Sequence, residues 1–77
     1  MEMFDRKKLP AHAREELEAL EDRVRRAEEA ERLASAAFEE LPTEARYLRC
    51  DQTVRESAAA RSRLRAFRGD LDVLEVA

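Results

Sequence analysis

The sequence predicts an all-α protein, a two-helix antiparallel hairpin that packs in the manner of a coiled coil. The 77 residues include one glycine and two prolines, too few turn residues for a meander of short strands or for repeated βα units. Pro10 and Pro42 bound a segment dominated by Ala, Glu, Leu and Arg, which are strong helix formers. Apolar residues in that segment recur at intervals of three and four, the spacing of helices that pack side by side.

Residues 1–9 form an N-terminal arm, and the first helix is predicted over about residues 11–41, at the start of a hairpin that spans residues 10–69. Pro10 suits a helix start because the amide hydrogen that it lacks would have had no partner there. Glu31 is the one polar residue of the apolar seam, and a polar side chain at such a position can fix register or oligomeric state. The seam positions are Leu17, Leu20, Val24, Ala27, Glu31, Ala34, Phe38 and Leu41.

A turn at residues 42–43 leads into a second helix, predicted over about residues 43–68. Proline inside a helix costs about 3 kcal/mol, so helix 1 should end before Pro42, and Thr43 can cap the helix that follows. A joint this short turns the chain back antiparallel, and one long kinked rod is the alternative. In a hairpin the predicted contacts are Phe38 with Tyr47, Ala34 with Cys50, Ala27 with Ala58, Leu20 with Leu64, and Leu17 with Phe67.

The apolar positions of helix 2 fall into two sets that point in different directions. The first set is Tyr47, Cys50, Val54 and Ala58, and the second is Ala60, Leu64, Phe67, Leu71 and Leu74. The sets are offset by roughly 100° on a helical wheel, as a three-residue insertion in a heptad pattern would produce. Helix 2 either meets two neighbours or rotates against one. The predicted hairpin core is Leu17, Leu20, Val24, Ala27, Ala34, Phe38, Tyr47, Cys50, Val54, Ala58, Leu64 and Phe67.

Both ends of the chain carry apolar residues that this core does not use. Gly69 is a common residue just after a helix, and residues 70–77 are interpreted as an apolar and acidic tail, helical to about Leu74. A chain this short gains only about 3–5 kcal/mol from its own core. We therefore expect a second copy or another protein to complete the hairpin. The predicted contact residues are Phe4, Leu9, Leu71, Val73, Leu74 and Val76.

The two predicted helices carry opposite charge, because residues 10–42 have net charge −5 and residues 43–69 have +4. Such a difference selects an antiparallel partner, within the chain or between chains. The sharpest basic feature is the face formed by Arg61, Arg65 and Arg68. We expect it to be solvated or paired with acids of helix 1, with nucleic acid or an acidic protein as the alternative ligand. The acids predicted to lie opposite are Glu15, Glu16 and Glu18.

Residues that carry chemistry are scarce. The single glycine excludes glycine-rich phosphate loops, and one cysteine with one histidine cannot fill a structural zinc site. His12 has no partner at a motif spacing, so it is interpreted as a surface residue, and Cys50 as a small hydrophobe. We expect no enzymatic activity, no cofactor and no metal.

The predicted function is a non-enzymatic protein–protein interaction module: an adaptor, an assembly factor, a chaperone or a minor structural component. The alternative is a nucleic-acid-associated regulator that uses the basic face of helix 2. No apolar run indicates a signal peptide or a membrane span. The expected location is therefore the cytoplasm or an assembled particle such as a virion.

Overall fold

The computed structural model describes residues 5–76, with side chains as far as Val73. A short 3-10 turn at Arg6–Lys8 precedes α1, Ala11–Glu40, and α2 follows over Glu44–Val76. The two helices pack antiparallel into a hairpin of 51 × 19 × 16 Å. The predicted all-α hairpin is confirmed, and the single kinked rod is wrong.

The N-terminal segment enters α1 through Pro10. The Asp5 carboxylate accepts a hydrogen bond from the Lys7 amide at 3.0 Å, which holds the 3-10 turn. The Pro10 carbonyl accepts from the amides of Ala13 at 3.0 Å and Arg14 at 3.1 Å. Proline thus stands one residue before the helix, where no amide hydrogen is needed.

Three residues make the turn between the helices. Leu41 leaves the helical conformation for an extended one, with φ −145° and ψ 94°. Thr43 then caps α2, because its hydroxyl accepts from the Arg46 amide at 3.2 Å and its carbonyl accepts from the Tyr47 amide at 2.9 Å. The Arg46 guanidinium reaches back to the Ala37 carbonyl in the last turn of α1, so α2 also caps α1.

The hairpin divides into two halves, a terminal half (residues 5–30 and 58–73) and a turn half (residues 31–57). Every member of the buried apolar cluster lies in the terminal half. Leu17 is its most buried member, with 0% of its surface exposed. The cluster consists of Ala13, Leu17, Val24, Ala60, Leu64 and Leu71, with Leu9, Leu20, Ala27 and Phe67 packed against it.

The seam of α2 is continuous, and the predicted jump near Ala58 is wrong. Thr53 and Ser57 are fully buried and bridge the gap between Cys50 and Ala60 at the same three-and-four spacing. The Thr53 hydroxyl donates to a backbone carbonyl of the preceding turn, and the Ser57 hydroxyl has the Val54 carbonyl at 3.1 Å and a closer acceptor on α1. Both therefore keep a hydrogen bond, which removes most of the cost of burying them. Since these two residues occupy the seam, the predicted core positions Tyr47, Val54 and Ala58 are turned outward and exposed.

The predicted contacts hold near the turn and shift away from it. The rings of Phe38 and Tyr47 are 6.0 Å apart, and the Cys50 thiol donates to the Ala34 carbonyl at 3.1 Å. Farther from the turn the seam side chains interdigitate, and the partners move by one to three residues along α2. The predicted contacts of Ala27 and Leu20 are therefore shifted in register: Ala27 lies beside Ala59 and Ala60, and Leu20 lies beside Phe67. The contact of Leu17 with Phe67 stays a prediction; Leu17 belongs to the buried cluster and Phe67 packs against that cluster.

The predicted C-terminal tail is part of α2. The helix runs through Gly69 without a positive φ and continues to Val76. Glycine inside a helix costs about 1 kcal/mol relative to alanine, whereas burying a leucine contributes roughly 1.5–3 kcal/mol. Leu71 is 3% exposed, so its burial outweighs the cost of Gly69 and carries the helix past residue 68.

Candidate interaction surface

Side chains that could bind a metal ion are not grouped together in the described part of the chain. No group of three or more His, Cys, Asp or Glu side chains lies close enough there to hold a metal ion. His12 is exposed at the start of α1. Within the same residues, neither α1 nor α2 contains a stretch long and apolar enough to cross a membrane.

Large apolar side chains are exposed mainly in the turn half. Five of them there are between 47% and 57% exposed: Leu33, Leu41, Tyr47, Leu48 and Val54. Among the described residues outside the turn half, Val73 is the one exposed large apolar side chain. The turn half thus presents to solvent the residue types that the terminal half buries.

Tyr47 and Val54 form one row on α2, since they are seven residues apart. Tyr47 touches the Phe38 ring on one side and is otherwise open to solvent. The same row continues with Arg61 and Arg68 in the terminal half. One edge of the hairpin is therefore apolar near the turn and basic near the chain ends.

The seam beneath this exposed surface consists of small and polar residues, with Phe38 as the one large apolar side chain. Ser57 donates to the Glu31 carboxylate at 2.6 Å across the two helices. Glu31 is half-buried at the seam position where the heptad pattern places it. The predicted polar break in the seam of α1 is thus matched by a buried hydroxyl on α2, and the two side chains hydrogen-bond between the helices.

Ion pairs within the hairpin occupy two of the three arginines of the predicted basic face. Arg68 bonds to Glu21 at 3.0 Å, and Arg61 lies 3.4 Å from Glu28. Arg65 is exposed. The expected pairing with α1 is present, but the predicted partners are wrong, because the register shift brings Glu21 and Glu28 opposite the arginines instead of Glu15, Glu16 and Glu18.

Glu21 joins three parts of the chain. Arg6 of the N-terminal arm makes two hydrogen bonds to its carboxylate, at 3.0 and 2.8 Å, and Arg68 of α2 makes another. Hydrogen bonding from Arg6 lowers the pKa of Glu21, and the Arg68 hydrogen bond lowers it further, against the opposing effect of burial. The arm is therefore fastened along this edge of the hairpin.

The opposite edge carries an open groove that sequence reasoning missed. Leu20 and Phe67, both half-buried, lie at its centre between Ala19 and Ala66. Four charged side chains surround this apolar centre: Glu16, Asp70, Arg23 and Arg63. No residue of the described chain forms an ion pair with any of these four. Recognising the groove requires the register of α1 against α2, which the seam residues alone did not reveal.

The residues predicted to contact a partner differ in how exposed they are. Leu71 is buried in the hairpin core, so the prediction is wrong for this residue. Leu9 is half-buried against the core, and its contact with a partner stays a prediction. The burial of Leu71 and Leu9 follows from the extension of α2 and from the packing of the arm on α1. Val73 is 68% exposed. Phe4 and the side chains of Leu74 and Val76 lie outside the described residues.

Comparison with known proteins identified no relative of this chain. No protein-family model, no curated protein and no solved structure matches it. The surface of the hairpin is therefore the basis for the function proposed below.

Proposed function

We propose that the hairpin is a non-enzymatic protein–protein interaction module that docks its turn half onto a partner protein. The observation that carries this proposal is the exposure of five large apolar side chains above a seam of small and polar residues. Apolar side chains gathered in one region of a small, highly charged protein are typical of an interaction site. The proposal covers an adaptor, an assembly factor, a chaperone or a minor structural component, in the cytoplasm or in an assembled particle.

The row formed by Tyr47 and Val54 is the part of this surface best suited to anchor a partner. Side chains seven residues apart on one helix face enter an apolar groove together, and tyrosine is enriched at interfaces. Asp51 and Arg55, which lie beside the row, pair with each other at 3.1 Å and form a polar rim. We therefore expect a partner with an apolar groove that accepts one face of α2.

Site-specific photo-crosslinking tests the proposal. A photoreactive residue at Val54 should capture a discrete partner, and the same residue at Ser62, also exposed on α2, should not. Both positions lie on the same helix, so the pair separates contact through the turn half from adhesion to the hairpin in general. Equal capture at the two positions would contradict the proposal.

The captured partner then allows an affinity measurement. Val54→Lys should weaken its binding by about 10–100-fold, because the substitution puts a charge into a desolvated apolar contact. Ser62→Lys is the matched control and should leave the affinity unchanged. Unaltered binding by the Val54→Lys variant would assign the contact to another surface.

The nucleic-acid alternative has weaker support. Glu28 and Glu21 partly neutralise Arg61 and Arg68, and the whole chain has net charge −3. Phosphate binding would have to compete with these ion pairs. We expect no affinity for DNA or RNA at about 50 mM salt, and salt-dependent binding under that condition would favour the alternative.

A further inference from the structure

The groove centred on Leu20 and Phe67 differs from the opposite edge of the hairpin in how its charges are used. On the opposite edge, Arg6, Arg61 and Arg68 pair with Glu21 or Glu28 within the chain. The four charged side chains around the groove flank an apolar centre and have no ion-pair partners among the described residues. The charges of the groove are therefore available to another molecule.

These charges are arranged in two pairs. Glu16 of α1 and Asp70 of α2 lie at the end of the groove nearer the chain termini. Arg23 and Arg63 lie at its other end, seven residues along each helix and about 10.5 Å away. The acidic end and the basic end are thus separated by the apolar residues at the centre.

This arrangement is complementary to itself. The midpoint between Glu16 and Arg23 falls at Ala19 and Leu20, and the midpoint between Arg63 and Asp70 falls at Ala66 and Phe67. A two-fold axis that crosses both helices at this level exchanges the acidic and basic ends. A twofold interface uses the same patch on both subunits, so the patch must match its own rotated copy. This one does.

We infer that the groove is a self-association surface, on which a second copy of the chain docks antiparallel to form a four-helix bundle. Arg23 of one copy then faces Glu16 of the other, and Arg63 faces Asp70, so four ion pairs surround two copies of the apolar centre. The centre supplies burial, and the charges select the partner and its direction. Each α1 packs against its copy, and so does each α2.

The parallel arrangement is disfavoured by the same charges. A two-fold axis along the length of the hairpin would bring Arg23 of one copy against Arg63 of the other, and Glu16 against Asp70. Repulsion between like charges disfavours the parallel dimer. The same four charges therefore favour the antiparallel dimer and disfavour the parallel one.

The axis lies away from the middle of the hairpin, and this has a geometric consequence. In α1 the overlap of the two copies covers about residues 11–28, roughly five turns. The turn halves project from opposite ends of the bundle. Their exposed apolar side chains therefore stay free, and self-association is compatible with the docking proposed for the turn half.

Charge reversal followed by charge exchange tests the inference. The wild-type chain should reach twice the 8.9 kDa monomer mass by light scattering or sedimentation equilibrium in the micromolar to millimolar range. Arg23→Glu should raise the dimer dissociation constant by about 10–100-fold, because it places two pairs of like charges in the interface. The double variant Glu16→Arg with Arg23→Glu should restore it to within about threefold, since each new glutamate again faces an arginine.

The matched control is Arg65→Glu, which makes the same charge change at an exposed position outside the groove. It should leave the dimer unchanged. Circular dichroism on the same samples checks that each variant is helical, which we expect because Arg23 has no ion-pair partner among the described residues.

Three results would overturn the inference. They are a wild type that stays monomeric over the whole range, an Arg23→Glu variant that dimerises normally, and an exchange variant that is not rescued. A monomeric wild type that binds an acidic helix of another protein through Arg23 would assign the groove to that protein instead.

Orientation is tested separately by a spin label at Leu48→Cys in a Cys50→Ser background. The antiparallel dimer places the two labels about 55 Å apart along the bundle axis, whereas a parallel dimer places them side by side. A short distance would overturn the orientation. The inference is also separable from the function proposed above, because Val54→Lys should weaken partner binding and leave this dimer intact.

Discussion

The terminal half and the turn half of the hairpin use the same helical framework in opposite ways. The terminal half buries Leu17, Val24, Leu64 and Leu71 between the helices. Apart from the half-buried Phe38, the turn half fills its seam with small or polar residues, and five of its large apolar side chains are exposed. Because apolar burial contributes about 25 cal/mol per Å², most of the hydrophobic stabilisation comes from the terminal half. The difference indicates that one half holds the fold while the other is available for binding.

The largest expected effect tests this division directly. Leu17→Ala removes a fully buried side chain from the terminal half and should lower the free energy of unfolding by about 2–5 kcal/mol, enough to unfold much of so small a protein. Leu48→Ala, at a leucine that is 57% exposed in the turn half, should change it by less than about 0.5 kcal/mol. Urea titration monitored by circular dichroism measures both, and similar losses would refute the division.

The polar seam of the turn half is the target of the next prediction. Glu31→Leu should stabilise the hairpin by about 1–2 kcal/mol, because it adds apolar burial and Ser57 can still donate to the Val54 carbonyl at 3.1 Å. Ser57→Ala should instead cost about 1 kcal/mol, since it leaves the Glu31 carboxylate without its donor.

The same denaturation experiment measures both variants. If Glu31→Leu destabilised the hairpin as much as Ser57→Ala does, the contact between Glu31 and Ser57 would contribute more to stability than an apolar side chain at residue 31. That result would contradict the prediction. Light scattering on the Glu31→Leu variant would show whether the more apolar seam also permits new oligomers.

Gly69 gives a smaller effect within the terminal half. Its backbone is helical, it is exposed, and a methyl group at its Cα would meet no atom within 4 Å. Gly69→Ala should therefore raise the free energy of unfolding by about 0.5–1 kcal/mol, as alanine does in a helix interior. A lower melting temperature for this variant would mean that α2 is not continuous through residue 69.

The pH dependence of the Glu21 contacts is expected to be the smallest effect, at most about 1 kcal/mol for a partly exposed network. The pKa of Glu21 is lowered in the folded chain, mainly by the Arg6 hydrogen bonds, so its contribution is complete above the ordinary value of 4.5 and is lost as the pH falls through the folded pKa. Glu21→Gln should therefore be less stable than wild type at pH 7, and the difference should shrink in acid. A difference that persisted at low pH would contradict this cause.

Glu18→Gln is the control for the change in net charge, because it removes an exposed carboxylate of the same helix. It should leave the stability at pH 7 nearly unchanged, since exposed charges away from specific contacts contribute little.

Features set by local physics could be predicted from the sequence. Pro10 and Pro42 mark the ends of the helices, and Thr43 caps α2 as its hydroxyl predicts. The contacts of Phe38 with Tyr47 and of Ala34 with Cys50 follow from a short turn, because few residues separate each pair from the reversal. An error in the predicted register between the helices grows with distance from the turn, so it is small for these two contacts.

Features that depend on polar residues in the seam could not be predicted in the same way. Counting apolar side chains treats Thr53 and Ser57 as surface residues, yet a helix can bury them because its own carbonyls satisfy their hydroxyls. Because the predicted seam of α2 left out Thr53 and Ser57, it included Val54, which is exposed. The contacts of Arg6 and Arg68 with Glu21, and the arrangement of charges around the groove, depend on long-range register that no local pattern contains.

Tyr47 gives the molecule a native optical probe of one end. It is the only tyrosine, the chain has no tryptophan, and its ring lies against Phe38 beside the turn. Its emission and near-ultraviolet signal therefore report the environment of the turn, while amide circular dichroism averages over both helices. Heating should change the tyrosine signal before the amide signal, because a segment with little apolar burial opens at lower free energy than the rest. Amide hydrogen exchange should then be faster around Leu48 than around Leu64, a gradient of protection along a single pair of helices.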